Sequence, residues 1–222
     1  MMLTRLFLNP RSRDVHRDIG DSQRMHRRVM SLFRDDVGST ARASLGVLHR
    51  LDRPEQRDAL ILLVQSDEKP DPGLLPRGFL DERAGDDAIA TTDLAAVAEA
   101  LVPGASFRFR LRANATRRID TKSGPDGKRR NGRRVPVTGD DGRLAWLESR
   151  LKANGMRLVG QCQQRPEGRL RGAVGGALRT HEGCVFDGVL QVDDAALARN
   201  AFRTGIGPAK AFGFGLLSLA RG

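Results

Sequence analysis

From Ser106 to Asn114 apolar and polar side chains alternate without a break: Phe107, Phe109, Leu111 and Ala113 fall on one side, Arg108, Arg110, Arg112 and Asn114 on the other. A helix cannot use this pattern, because its faces repeat about every 3.6 residues. The segment is a strand with one dry face and one arginine face. The chain must therefore supply neighbouring strands and a layer that covers the phenylalanines.

The residues that follow supply both. Leu144, Leu147 and Leu151 mark a helix over about 143–153, and Met156–Cys162 and Cys184–Val192 read as strands. Asp193 or Asp194 caps a helix that runs through Arg203, and Leu216–Ala220 is a last strand. This is the βαββαβ order of a ferredoxin-like unit. The first half is compatible with the same order. Met2–Leu8 is a strand, and Asp21 or Ser22 caps a helix with Met25, Val29, Leu32 and Phe33 on one face. Leu45–Leu51 and Ala59–Val64 are strands on either side of an Asp52-Arg53-Pro54 turn. Residues 66–88, rich in Pro, Gly and acid, read as a loop with one helical turn before a short Ala88–Thr91 strand. A short helix, Leu94–Leu101, stops at Pro103-Gly104. With 222 residues to place, the expected fold is α+β, two tandem ferredoxin-like βαββαβ domains over 1–95 and 104–222.

Charge is divided unevenly between these halves. Residues 51–100 carry 12 acidic and 5 basic side chains, net −7, whereas 101–134 carry 2 acidic and 11 basic, net +9. Concentrated basic charge in a chain of net +11 fits a polyanionic partner. The aromatic content says how such a partner is held. Nine Phe, one Trp and no Tyr, most of the Phe on apolar faces, leave little for base stacking, so arginine contacts to phosphates and groove edges carry the expected affinity.

Several classes drop out. No apolar run approaches the ~20 residues of a membrane span, and the Met1–Pro10 stretch is interrupted by Arg5, so a membrane partner and a secreted form are not expected. Cys162 and Cys184 are too few for a disulfide framework and read as reduced core residues of a cytoplasmic protein. The Asp35-Asp36, Asp86-Asp87 and Asp140-Asp141 pairs lack histidine partners, so neither a metal nor another cofactor is expected.

Residues 205–215 place Gly205, Gly207, Gly213 and Gly215 around Lys210. Glycine lets a backbone approach a phosphate with its N–H groups exposed, and lysine adds a point charge. The loop follows a helix and precedes a strand, which excludes a Rossmann fingerprint, and Ala209-Lys210-Ala211 excludes a Walker loop.

This loop, the Phe109-Arg-Leu-Arg-Ala-Asn114 strand, the Arg134-Val-Pro-Val137 segment and Ala145-Trp-Leu147 resemble, in order and over nearly the whole chain, the CasE family of CRISPR-RNA-processing endoribonucleases. The resemblance implies a pair of ferredoxin-like (RRM-like) domains that binds a CRISPR repeat RNA hairpin. It implies metal-free cleavage on the 3′ side of that hairpin, with the product retained among other Cascade subunits. It also implies that the active histidine lies in the first helix, where this chain has His26. Metal-free cleavage uses the 2′-hydroxyl as nucleophile and needs a proton acceptor, a donor and stabilisation of the phosphorane, for which histidine is well suited. His16, His49 and His181 read as surface or packing residues. The family often carries tyrosine three residues before the histidine, and Gln23 stands there instead, so Lys210, Arg27 or water would have to compensate. Ala115 stands where proline is usual. The RNA-binding candidates are Arg27; Arg108, Arg110 and Arg112 on the strand face; Arg129 and Arg130 in the loop after it; Arg169 and Arg171 in a hairpin that the resemblance sends into the RNA groove; and the glycine loop with Lys210. Two alternatives stay open: a non-catalytic RNA-binding subunit, which the missing tyrosine favours, and a DNA-binding regulator, which only the net charge favours.

Overall fold

The computed structural model describes residues 1–33, 41–54, 59–119, 122–123, 129–130, 133–174 and 177–221. In the first half, β1 (Met2–Leu8) leads into α1 (Arg13–Gly20), α2 (Ser22–Met30) and the single turn α3 (Ala41–Ser44). β2 (Leu48–Asp52), β3 (Leu60–Ser66) and β4 (Ile89–Asp93) complete an antiparallel sheet in the order β2-β3-β1-β4. α2 starts where expected: the Asp21 carboxylate accepts from the Gln23 and Arg24 N–H groups, satisfying two donors that the first turn leaves open. It ends earlier than expected, at Met30. Leu32 and Phe33 lie in the turn beyond and still reach the core with Leu6, Leu62, Val64, Met25 and Val29. No second α-helix joins β3 to β4. Pro72–Leu74 and Glu82–Ala88 form 3-10 turns instead, started by the side chains of Asp71 and Asp81.

The second half is the fuller version of the same plan. α4 (Ala95–Glu99) leads to β5 (Ser106–Ala113), and after an inserted ribbon come α5 (Asp140–Ala153), β10 (Met156–Val174), β11 (Ala177–Val192), α6 (Ala195–Thr204) and β12 (Leu217–Arg221). The inserted ribbon is β6 (Thr116–Ile119) paired with β9 (Arg133–Pro136), with β7 (Lys122–Ser123) on β8 (Arg129–Arg130) beyond it. The main sheet runs β10-β11-β5-β12, the equivalent order to the first sheet. Phe107, Phe109, Leu111 and Ala113 are buried with Leu147, Leu151, Phe186 and Phe202, as their alternation requires. Leu94 and Leu101, at either end of α4, belong to this second core.

Two expected strands are much longer than their apolar stretches. β10 and β11 continue as a hairpin through the Gly- and Arg-rich segment, with bulges between Val159 and Gln163 and between Pro166 and Arg169. Backbone pairing alone sustains this extension, so no hydrophobic period announces it. The hairpin reaches the other domain, where the Ser22 hydroxyl donates to the Arg171 carbonyl. A side chain at Gly172 would collide with Ser22, so the close approach requires glycine.

The two domains also meet along a polar seam. Arg50, buried on β2, pairs with Asp52 at 2.7 Å and donates to the Ser218 hydroxyl at 2.9 Å. Gln65 donates to the Phe202 carbonyl at 2.8 Å, and Arg203 pairs with Asp67 at 2.5 Å. These contacts hold α6 and β12 against β2 and β3. No helix among the described residues is long and apolar enough to cross a membrane.

Candidate active site

His26 lies half-buried one turn into α2, on the helix that packs against the Lys210–Phe212 turn of the glycine loop. The same turn packs on β2, which carries His49. A helix of the first domain and a loop of the second thus meet at one place.

The loop is arranged differently from the open cradle its glycines suggest. Gly205 N–H donates to the Ala201 carbonyl, Gly215 N–H to Arg112 and Gly213 N–H to Lys210, so these amides are engaged inside the protein. Gly213 instead provides room: a Cβ there, at φ +83, would press on Arg112 and His49, each about 3.3 Å away. Gly215 admits the Ile206 carbonyl and the Lys210 stem in the same way, and Gly207 faces Trp146. Of the groups this loop is expected to offer a phosphate, Lys210 and the turn around it are the ones these internal bonds leave.

The neighbouring charges that act on His26 and Lys210 are cationic. Burial, assisted by the charge of Arg42, pushes the His26 pKa below the ordinary imidazole value, which keeps the ring neutral at pH 7. Burial and Arg42 likewise lower Lys210, making its ammonium a stronger acid than an exposed lysine. His49, fully enclosed, is held down to about 3 by burial first and then by His26, Arg112 and Arg42, so it is a neutral packing partner. Arg42 is the residue that sequence reasoning missed. It sits on the short turn α3, outside any periodic pattern, with its guanidinium bonded to the Val47 carbonyl at the entry to β2. His181, read as a packing residue, stacks on Phe212 at 4.7 Å between ring centroids and bonds Asn114 at 3.2 Å, which braces the glycine loop from the sheet side. His16 is exposed on α1 and bonds the Pro10 carbonyl.

The arginine face of β5 is less open than its alternation implies. Arg112 is only 8% exposed. It pairs with Glu167 at 2.5 Å, donates to the Gly213 carbonyl and lies 4.8 Å over the Phe214 ring. Arg110 pairs with Asp187 at 2.6 Å, which raises its pKa. The reason is tertiary: this sheet face turns toward the first domain, and the acids come from β10 and β11. Arg108 alone of the three stands exposed. Between the domains lies a cleft of about 760 Å³ that reaches from His49 and Leu51 to Arg112, Glu167 and Leu170. At its rim Arg53 and Arg165 are exposed, with no carboxylate partner among the described residues. Arg169 is exposed on the hairpin and pairs with Glu182 at 3.1 Å, and Arg171 and Arg27 are exposed as well. The side chains of Arg129 and Arg130 lie outside those described. Among the described residues no three His, Cys, Asp or Glu side chains gather as a metal-binding set. Burial raises the Cys162 and Cys184 thiols to about 11, in keeping with inert core residues.

A family model described as CRISPR associated protein matches residues 1–221. The chain is 32% identical over 232 residues to the CRISPR-associated endoribonuclease Cse3 of Thermus thermophilus, covering 99% of this chain and 100% of that protein. It is 37% identical over 121 residues to the CRISPR system Cascade subunit CasE of Escherichia coli, covering 53% of this chain and 59% of that one. A solved structure of Cse3 bound to a 19-nucleotide RNA superposes with TM-score 0.78 at 31% identity, over 99% of this chain and 100% of that chain.

Proposed function

Because the chain belongs to the CRISPR-associated protein family of the Cse3 and CasE endoribonucleases, we propose that it recognises the CRISPR repeat stem-loop and cuts precursor CRISPR RNA at the hairpin's 3′ base. It does so without metal, by attack of the adjacent 2′-hydroxyl, and remains bound to the product as a Cascade subunit. The observation that carries this reading is the juxtaposition of a neutral His26 with the Lys210 loop at the meeting of the two domains.

The chemistry follows from the protonation states. Neutral His26 takes the 2′-hydroxyl proton as the 2′-oxygen bonds to phosphorus, and the bond from phosphorus to the 5′-oxygen breaks. Lys210 faces the charge that develops on the phosphorane and supplies the proton that the leaving 5′-oxygen takes up, a role that its lowered pKa assists. Arg42 adds a second positive charge. The products are a 2′,3′-cyclic phosphate and a 5′-hydroxyl. Gln23, three residues before His26 and on the same side of α2, has an amide that holds substrate by hydrogen bonds but transfers no proton. Arg27, Arg108, Arg129, Arg130, Arg169 and Arg171 hold the hairpin through its backbone.

Incubation with the hairpin repeat in EDTA tests the reading, alongside a repeat with a single 2′-deoxy nucleotide at the scissile position. Cleavage should persist in EDTA and vanish on the deoxy substrate. The opposite result in either arm rejects the mechanism, and an inactive wild-type protein that still binds the hairpin favours the non-catalytic RNA-binding reading that Gln23 suggests.

A further inference from the structure

The two sheets have four edges, and three are protected. β2 is covered by the second domain through Arg50 and the Lys210–Phe212 turn. β12 receives Arg50 on Ser218 and ends on Arg221. β10 carries two bulges and Pro166, devices that prevent an edge from pairing with another chain. β4 has none of these. All five residues, Ile89 to Asp93, are exposed, and the strand contains no lysine, arginine or proline.

Its open side presents backbone groups ready to pair. β4 pairs with β1 on one side only. The bond from Leu94 N–H to the Met1 carbonyl sets the parity of the ladder: Ala90 and Thr92 exchange bonds with β1, while Ile89, Thr91 and Asp93 turn their N–H and C=O groups outward. The 3-10 turns that replace a second helix also leave the strand's face bare, so Ile89 remains 38% exposed.

The rim of this edge states the charge of what fits it. Residues 81–93 hold five acidic side chains against one arginine, net −4. RNA is repelled there. A second copy of the chain pairing through the same edge would bring two net −4 segments together. We infer that β4 accepts, by strand addition, an extended basic segment of a neighbouring protein subunit. The inference rests on the reading that the chain works as a subunit of an assembly.

The test uses the full chain, purified and then reconstituted with the purified protein subunits of its Cascade complex and with CRISPR RNA. Backbone hydrogen exchange at Ile89, Thr91 and Asp93 should be fast in the free protein and at least tenfold slower in the complex. Thr91→Pro removes an outward N–H, and the double substitution Asp86→Lys with Asp87→Lys reverses the rim. Each should weaken assembly at least tenfold while hairpin cleavage by the isolated variant stays at the wild-type rate, which also reports correct folding. Equal exchange in the free and assembled protein, or undiminished assembly of the Lys variant, overturns the inference and leaves the subunit reading standing. A wild-type chain that fails to join the complex overturns both.

Discussion

Between β3 and β4 the first domain winds through two 3-10 turns, whereas between β11 and β12 the second has the ten-residue helix α6. β2 and β3 span five and seven residues, while their counterparts β10 and β11 span 19 and 16. The same strand order therefore carries two different outfits. The first domain is acid-rich after residue 50 and supplies the half-buried, neutral imidazole of His26. The second supplies Lys210, the long hairpin and most of the exposed arginines. Under the proposed mechanism the difference teaches a division of labour: the general base comes from the first domain, the proton donor and most of the phosphate contacts come from the second, and the seam between them aligns the two.

The sharpest way to break that division is His26→Ala. A general base contributes typically ~10²–10⁴ in rate, and a neutral ring adds little to phosphate binding. Single-turnover cleavage should fall by that factor with hairpin affinity within a few-fold of wild type. Wild-type cleavage by the variant would remove His26 from the mechanism, and a large loss of affinity would erase the division. Arg50→Ala tests the seam. It leaves Asp52 without its buried partner, and breaking a buried pair costs about 3–5 kcal/mol. Asp52 keeps some contact with water, so a loss of about 3 kcal/mol is expected by urea unfolding. Unchanged stability would show that the seam does not hold the domains together.

The second domain was the more legible of the two because its apolar residues keep strict periods. Phe107 to Ala113 alternate and their apolar members are buried, and of Leu144, Leu147 and Leu151 at helical spacing the last two enter the core, while Leu144 is half-buried. The length of β10 and β11 was hidden, since paired backbone holds the extension without apolar residues. The missing second helix of the first domain showed in the Pro, Gly and acid content of residues 66–88. At the site, the resemblance points to His26 and the glycine spacing to Lys210, but their approach depends on a contact between elements far apart in the chain. Arg42 carried no signal at all, because its influence on His26 and Lys210 arises only through the fold. Arg112 misled for the same reason. Alternation gives the side of the strand but cannot tell that Glu167 and Phe214 occupy it.

The next test sharpens the comparison through pH. His49 is held down to about 3 in the folded protein and returns to an ordinary value of about 6.5 when unfolded. Its contribution to stability is complete above pH ~6.5 and declines as the pH falls toward 3, because the unfolded chain then binds a proton that the folded chain refuses. The expected loss between pH 7 and pH 5 is about 2 kcal/mol, read from urea midpoints. His49→Gln should remove most of that pH dependence. If it persists in the variant, another group is responsible and His49 is not sealed in the domain interface.

The smallest expected effect concerns the hairpin. Arg169 and Arg171 project from the part of β10 that extends beyond its apolar stretch, and both are exposed. Arg169 is tied to Glu182 in a pair that is 69% exposed on the arginine side, so screening leaves it free to exchange that carboxylate for a phosphate. Arg171 is anchored through its backbone, in the ladder opposite Thr180 and by its carbonyl, which the Ser22 hydroxyl holds whatever side chain is present. Replacing both with alanine removes two charges without disturbing that anchor. Each phosphate neutralised contributes roughly −0.7 to −0.9 to the slope of log K against log salt. The double variant should therefore bind the hairpin with a slope shallower by roughly 1.4–1.8, while cleavage at saturating protein stays within about twofold because His26 and Lys210 are untouched. An unchanged slope would make these arginines part of a solvated surface and move phosphate binding to the exposed arginines nearer the cleft. A slope change accompanied by a large loss of cleavage would mean that the hairpin also sets the position of the scissile phosphate, so that binding and chemistry are shared across both domains.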